Sequence, residues 1–285
     1  MMDDSPIGEP AIAENVAPRE TQPLADRARR LVREYLPAAV VFVGVVVIWE
    51  LVATGLNLRE FILPRPSAIG AAFVAEWPIL QTAAGNTLFE AVGGLAIGVL
   101  LGVVAAFAVA RWARVRDVIV PLAIAISAVP IIALAPIMSN WFGILNPFAK
   151  MAVVILLVFF PIMINVVRGL TEVSPTAIEL FRANAASDGE ILRKLRLPNA
   201  LPYFFTGLKI STTLCLIGAV VAEYFGGSSE VLGRVIVQSS SRLRFDITWS
   251  AIMVTAAAGI AFYLLVLAVE RLVIPWHSSL RELES

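Results

Sequence analysis

The sequence predicts an all-α polytopic membrane protein with six transmembrane helices, and three observations carry that expectation. The 285 residues are 59% hydrophobic and 15% charged, where globular domains run at about 45–50% and about 25%. Apolar runs recur at lengths matching the ~20 residues a helix needs to cross hydrocarbon. Lipid offers the backbone no hydrogen bonds, so such runs must be helices or closed barrels, and the alternation of barrel strands is missing.

The elements follow in order. Residues 1–20 are polar and Pro-containing and read as a disordered tail, and 21–35 read as a short basic amphipathic helix. The first apolar run starts near Leu36, later than the apolar region of a cleaved signal peptide. Spans are expected at about 37–56, which holds Glu50, and at about 87–110, uncharged from Ala91 to Ala110. Residues 118–149 carry no charge and are too long for one span; division at SNWFG gives a third span at about 118–138 and a fourth at about 149–167. Pro130 and Pro136 interrupt the third, either as a packing kink or as a broken helix beside a pathway. The fifth, about 203–224, contains Lys209 and Glu223, and the sixth, about 247–269, is uncharged. The membrane domain thus runs over 36–275, between an N-terminal segment 1–35 and a tail 276–285.

Six spans put both termini on one side. With that side cytoplasmic, fifteen Lys and Arg fall inside and six outside, with Lys209 within a span. The positive-inside rule therefore places both termini, and the loop between the fourth and fifth spans, in the cytoplasm. Net charge is zero, which gives no basis for a nucleic-acid partner. One Cys and one His leave no disulfide within the chain and no Cys/His metal site. No Ser/His/Asp set, catalytic carboxylate pair or Gly-rich phosphate loop appears, so no catalytic residue is expected.

The cytoplasmic loop reads ELFRANAASDGEILRKLRLPNALP over 179–202, with seven charges. Ser174-Pro175 is a helix start signal. Ile178, Phe181 and Ala185 form one apolar stripe, and Ile191, Leu192 and Leu195 form a second after Gly189. Pro198 and Pro202 are expected to limit the second helix. Such a hairpin, about 172–200, suits either a groove on a soluble partner or the headgroup surface of the membrane.

At this point the chain resembles the inner-membrane permease subunits of bacterial ABC importers, in the branch that handles nitrate, sulfonates, taurine and thiamine or pyrimidine precursors. Their loop has the pattern E-A-A-x3-G-x9-I-x-L-P; here the register is Glu179-Leu180-Phe181, three residues, Ala185, nine residues, then Leu195-Arg196-Leu197-Pro198. The Glu, the spacing and the Leu-Pro match, while Leu180, Phe181 and Ala185 replace two alanines and the glycine. TLFEAVGGLAIGVLLG (87–102), AVPIIALAPIMSNWFG (128–143) and VAEYFGGSSEVLGRVIVQSS (221–240) are similar to the same family, and Glu90 stands where many members of the branch carry Arg. The resemblance spans roughly residues 40–275.

The resemblance implies a type I importer fold in the bacterial inner membrane, working as a homodimer with two cytoplasmic ATPase subunits and an extracytoplasmic binding protein. ATP and Mg²⁺ would be held by the ATPases, since this chain has no G-x4-G-K-[ST] loop. Coupling would rest on Glu179, Leu180, Phe181, Ala185, Asp188 and Gly189. The outer loop at 225–246, with a short helix around Val231–Ser240, would meet the binding protein. The solute would be a vitamin or pyrimidine precursor, a sulfonate, nitrate or an aromatic acid.

Four polar residues are candidates for the pathway: Asn140, Asn165, Lys209 and Glu223. For the two amides the commoner role is glue between helices. Lys209 reads equally as a snorkelling side chain, and Glu223 as a structural hydrogen-bond partner. Glu50 and Glu90 sit near expected span ends and read as interfacial. Gly94, Gly98 and Gly102 recur at four-residue spacing and are expected to pack against a helix of the same subunit. Cys215 and His277 have no supporting constellation. The competing class is an ion-gradient-driven transporter, which would need several intramembrane carboxylates or a repeat of broken helices.

Overall fold

A computed structural model describes residues 24–275; the expectations for 1–20, for 276–285 and for His277 fall outside them. The chain divides into two units, one reaching Val52 and the other beginning at Ala53. The first contains most of α1 (Leu24–Gly55), whose stretch Leu36–Gly55 is long and apolar enough to span. Basic segment and span form one helix, so the expected boundary near residue 36 is not a break.

The second unit runs through α2 (Pro66–Ala75), α3 (Trp77–Ala110), α4 (Ala113–Ser127), a 3₁₀ turn (Ile131–Leu134), α5 (Ala135–Phe142) and α6 (Pro147–Thr171). It continues with α7 (Pro175–Ala183), α8 (Asp188–Ile191), a π turn (Leu192–Arg196), α9 (Leu197–Phe225), α10 (Leu232–Ser241) and α11 (Phe245–Val273). Proline opens α2 and α6 at the first helical position, where its missing N–H costs nothing. Asn146 caps α6 by accepting from the Phe148 N–H at 3.0 Å.

Among the described residues five helices are long and apolar enough to cross a membrane. The expected third span is not one of them. Its sequence folds as α4, the 3₁₀ turn and α5, with Pro130 just before the turn and Pro136 at the start of α5. Each proline removes an N–H and blocks the preceding helical turn, so one helix becomes three pieces. The second span begins at Trp77, ten residues earlier than expected.

Helix α6 occupies the centre of this unit, between α3 and α9. Its neighbours approach it through glycines. A Cβ at Gly94, Gly98 or Gly102 of α3 would run into Val154, Val158 or Ile162, so the glycine row packs within the subunit, as its spacing predicts. Gly207 and Gly218 of α9 lie against Asn165 and Leu157 in the same way. Val153, Val154, Val158 and Ile162 are fully enclosed.

Candidate functional site

Two polar regions stand at the two ends of one long helix. From Asp188 to Phe225 the backbone is helical for 38 residues, about 57 Å at 1.5 Å per residue. The helix passes through Pro198 and Pro202 instead of stopping there. The π turn explains the first passage: the Leu197 N–H bonds the Leu192 carbonyl, five residues back. That widened turn sits just where the ring of Pro198 would clash with an α-helical carbonyl.

At the hairpin end, α7 closes with two linked bonds. The Ala185 N–H donates to the Arg182 carbonyl at 2.9 Å and the Ala186 N–H to Phe181 at 3.0 Å. This is the Schellman arrangement, and its turn residue takes the left-handed conformation usually given to glycine. Here that residue is Ala185, at φ +55°. The backbone therefore makes the turn despite the missing glycine, at a cost of about 1–2 kcal/mol. Asn184 adds a side-chain bond to the Leu180 carbonyl at 2.8 Å.

Ser187 then opens α8 with a capping box. Its hydroxyl accepts from the Glu190 N–H at 3.3 Å, and the Glu190 carboxylate accepts from the Ser187 N–H at 3.0 Å. Ser174, read as the cap of α7, precedes that helix but makes no side-chain cap bond. Asn199 fixes the hairpin to the end of α6 by donating to the carbonyls of Gly169 (2.8 Å) and Glu172 (3.2 Å). Of the six coupling candidates, Glu179, Leu180, Ala185, Asp188 and Gly189 are exposed and Phe181 is half-buried. Leu180 is the apolar knob, 62% exposed.

At the opposite end the charges are buried. Glu223 is fully enclosed, Lys150 is 1% exposed and Glu90 4%. The two carboxyls and the ammonium interact with one another, bringing α3, α6 and α9 together. Lys150 also donates to the carbonyls of Ile144 (2.5 Å) and Asn146 (3.4 Å). The first two N–H groups of α10 have no intrahelical acceptor. Leu232 donates to Thr87 Oγ1 at 2.9 Å, and Gly233 to Glu223 Oε2 at 2.6 Å. A carboxylate at a helix N-terminus is also favoured by the helix dipole. Gly233 is required for this approach, because a Cβ there would meet the Val220 carbonyl and the Glu223 side chain.

The sequence marked Glu223 but not its companions. Lys150, counted among outer-loop charges, is buried, and Glu90 is interior instead of interfacial because α3 starts so early. Among the other pathway candidates, Asn140 is exposed on α5. Asn165 donates to the Pro161 carbonyl of its own helix at 2.8 Å. Lys209 forms an ion pair with Glu270 of α11 at 2.8 Å. None of these three is among the groups that interact with Glu223.

Residues 98–276 match the family described as binding-protein-dependent transport system inner membrane component. The chain belongs to this family. It is a multi-pass inner-membrane permease subunit of an ABC importer for small solutes, without ATPase activity of its own, and the gradient-driven alternative is set aside. A formylaminopyrimidine transport permease protein of Halalkalibacterium halodurans is 31% identical over 83% of this chain and 94% of its own length. A riboflavin transport system permease protein of Chloroflexus aurantiacus is 28% identical over 90% and 97%. A taurine transport system permease protein of Escherichia coli is 26% identical over 82% and 87%. Binding-protein-dependent transport implies an ATPase and a binding protein as partners.

Proposed function

We propose that the permease works as a homodimer and that the hairpin 172–200 is its coupling element toward two cytoplasmic ATPase subunits. The observation that carries this reading is the exposed Leu180 on a hairpin whose second arm is continuous with a spanning helix. An apolar knob on a short helix fits a groove in a soluble partner, and the continuous arm passes the partner's movement into the membrane domain. One copy flanked by two ATPases cannot enclose a symmetric pathway, so a twofold pair is expected. ATP and Mg²⁺ belong to the partner. In this reading the broken α4–α5 segment makes the sixth crossing and both termini are cytoplasmic. The outer loop around α10 receives the binding protein. Asn140, Asn165, Lys209 and Glu223 remain the polar positions proposed to flank the pathway or support its walls.

For the solute, we infer a nitrogen heteroaromatic compound of the vitamin or vitamin-precursor class. Two relatives named for such solutes, at 31% and 28% identity, support this choice. A thermal-shift screen on the cognate binding protein should show a larger stabilisation by a formylaminopyrimidine or riboflavin than by taurine or nitrate; the reverse order refutes it.

Leu180→Asp tests the coupling role. The exposed side chain leaves the permease fold intact, while a charge forced into a partner's groove costs binding. Recovery of the ATPase with the purified permease should fall about tenfold, equivalent to about 1.4 kcal/mol, and ATP-driven uptake should fall with it. Full recovery and normal uptake would sink the assignment.

A further inference from the structure

The face of the hairpin turned away from Leu180 borders a cleft of about 500 Å³. Three arginines from three elements line it: Arg111 just beyond α3, Arg182 on α7 and Arg196 in the π turn. Asp188 is the one carboxylate in the same lining. Among the described residues none of the three arginines is in an ion pair, and Arg196 Nε is buried without a hydrogen-bond partner. Three guanidiniums around one space repel each other unless an anion lies between them. The guanidinium fork matches phosphate oxygens two at a time.

The rest of the lining is apolar. Phe107 and Ala110 come from the last turn of α3, and Ile178 and Ile191 from the hairpin. Phe107 is 39% exposed on a helix long and apolar enough to span. One side of the cleft is therefore cationic, and the other continues the apolar flank of a membrane helix. Basic pockets between spanning helices suit anionic lipid headgroups.

We propose that this cleft binds a phosphate-bearing anion bridging the end of α3 to the hairpin, with the headgroup of an anionic phospholipid as the source that fits both halves. Free phosphate shares the chemistry of the headgroup but leaves the apolar wall unused. The site is separate from the exposed Leu180 face and does not require the ATPase reading.

Native mass spectrometry of the full chain in detergent, titrated with phosphatidylglycerol, phosphatidylcholine or inorganic phosphate, tests this. Phosphatidylglycerol should bind more tightly than phosphatidylcholine. The pair Arg111→Gln and Arg196→Gln should weaken that binding about tenfold or more, through loss of two charge-assisted contacts. The pair Arg114→Gln and Arg116→Gln removes equal charge nearby, outside the cleft lining, and should leave it unchanged. Arginine-dependent phosphate binding that displaces the lipid supports the anion site with free phosphate as its source. Equal binding of the two lipids without arginine-dependent phosphate binding overturns the proposal, as does an equal loss in the control pair. Should the glutamine pair fail to purify, Arg111→Lys with Arg196→Lys keeps charge and loses the fork; weakened phosphatidylglycerol binding then supports the site, and unchanged binding refutes it.

Discussion

The two ends of the Asp188–Phe225 helix both carry charge, but in opposite surroundings. At the hairpin end Glu190 and Lys194 pair at 3.0 Å with about half of each side chain in solvent. At the other end Glu223 is fully enclosed beside Glu90 and Lys150. Water screens the first set and offers each group another partner, so each contact is worth little. The second set has only the protein to satisfy it, so removal of one member leaves the others stranded. The same residue types thus give solubility and turn geometry at one end and a structural lock at the other.

Substitutions ordered by expected effect sharpen this contrast. Glu223→Ala should cost about 3 kcal/mol or more, because it strips the Gly233 N–H of its acceptor and leaves Lys150 with one fewer carboxyl neighbour; detergent-based thermal unfolding measures it. A loss below about 1 kcal/mol would mean that the buried end behaves like the exposed one. Gly233→Ala should cost about 2 kcal/mol in the same assay, since the added methyl meets the Val220 carbonyl and pushes α10 off its anchor.

At the hairpin end the effects should be smaller, and one should have the opposite sign. Ala185→Gly relieves a left-handed alanine and should stabilise the turn by about 1 kcal/mol, read as slower hydrogen exchange over 181–190. Faster exchange would show that the turn relies on something other than backbone geometry. Lys194→Ala should leave the unfolding midpoint unchanged, because its partner is an exposed carboxylate.

How much of this was legible in the sequence differs between the same two ends. The hairpin is a local object, and its two apolar stripes and the spacing from Glu179 to Pro198 mark it in the sequence, although the side-chain cap is supplied by Ser187 with Glu190 and not by Ser174. Hydropathy likewise located most spans, and the glycine row of α3 foretold its tight packing on α6. The buried cluster is non-local: Thr87, Glu90, Lys150 and Glu223 come from three helices, and no spacing rule joins them. Lys150 lies at the start of α6, where a count of loop charges places it in solvent, yet α6 is the enclosed helix. Prolines misled in both directions. Pro198 and Pro202 did not end a helix, and at Pro198 the π turn absorbs the misfit, while the stretch around Pro130 and Pro136 broke into three pieces. Proline fixes what a turn cannot do, and the neighbouring backbone decides how the chain responds.

The unbroken run from Asp188 to Phe225 also has a mechanical consequence. A rod of roughly 57 Å tilted by about 5° about one end carries the other through about 5 Å. Glu223 clasps the start of α10 at its far tip, so such a tilt about the Asp188 end would carry the start of α10 through a distance the size of a helical turn.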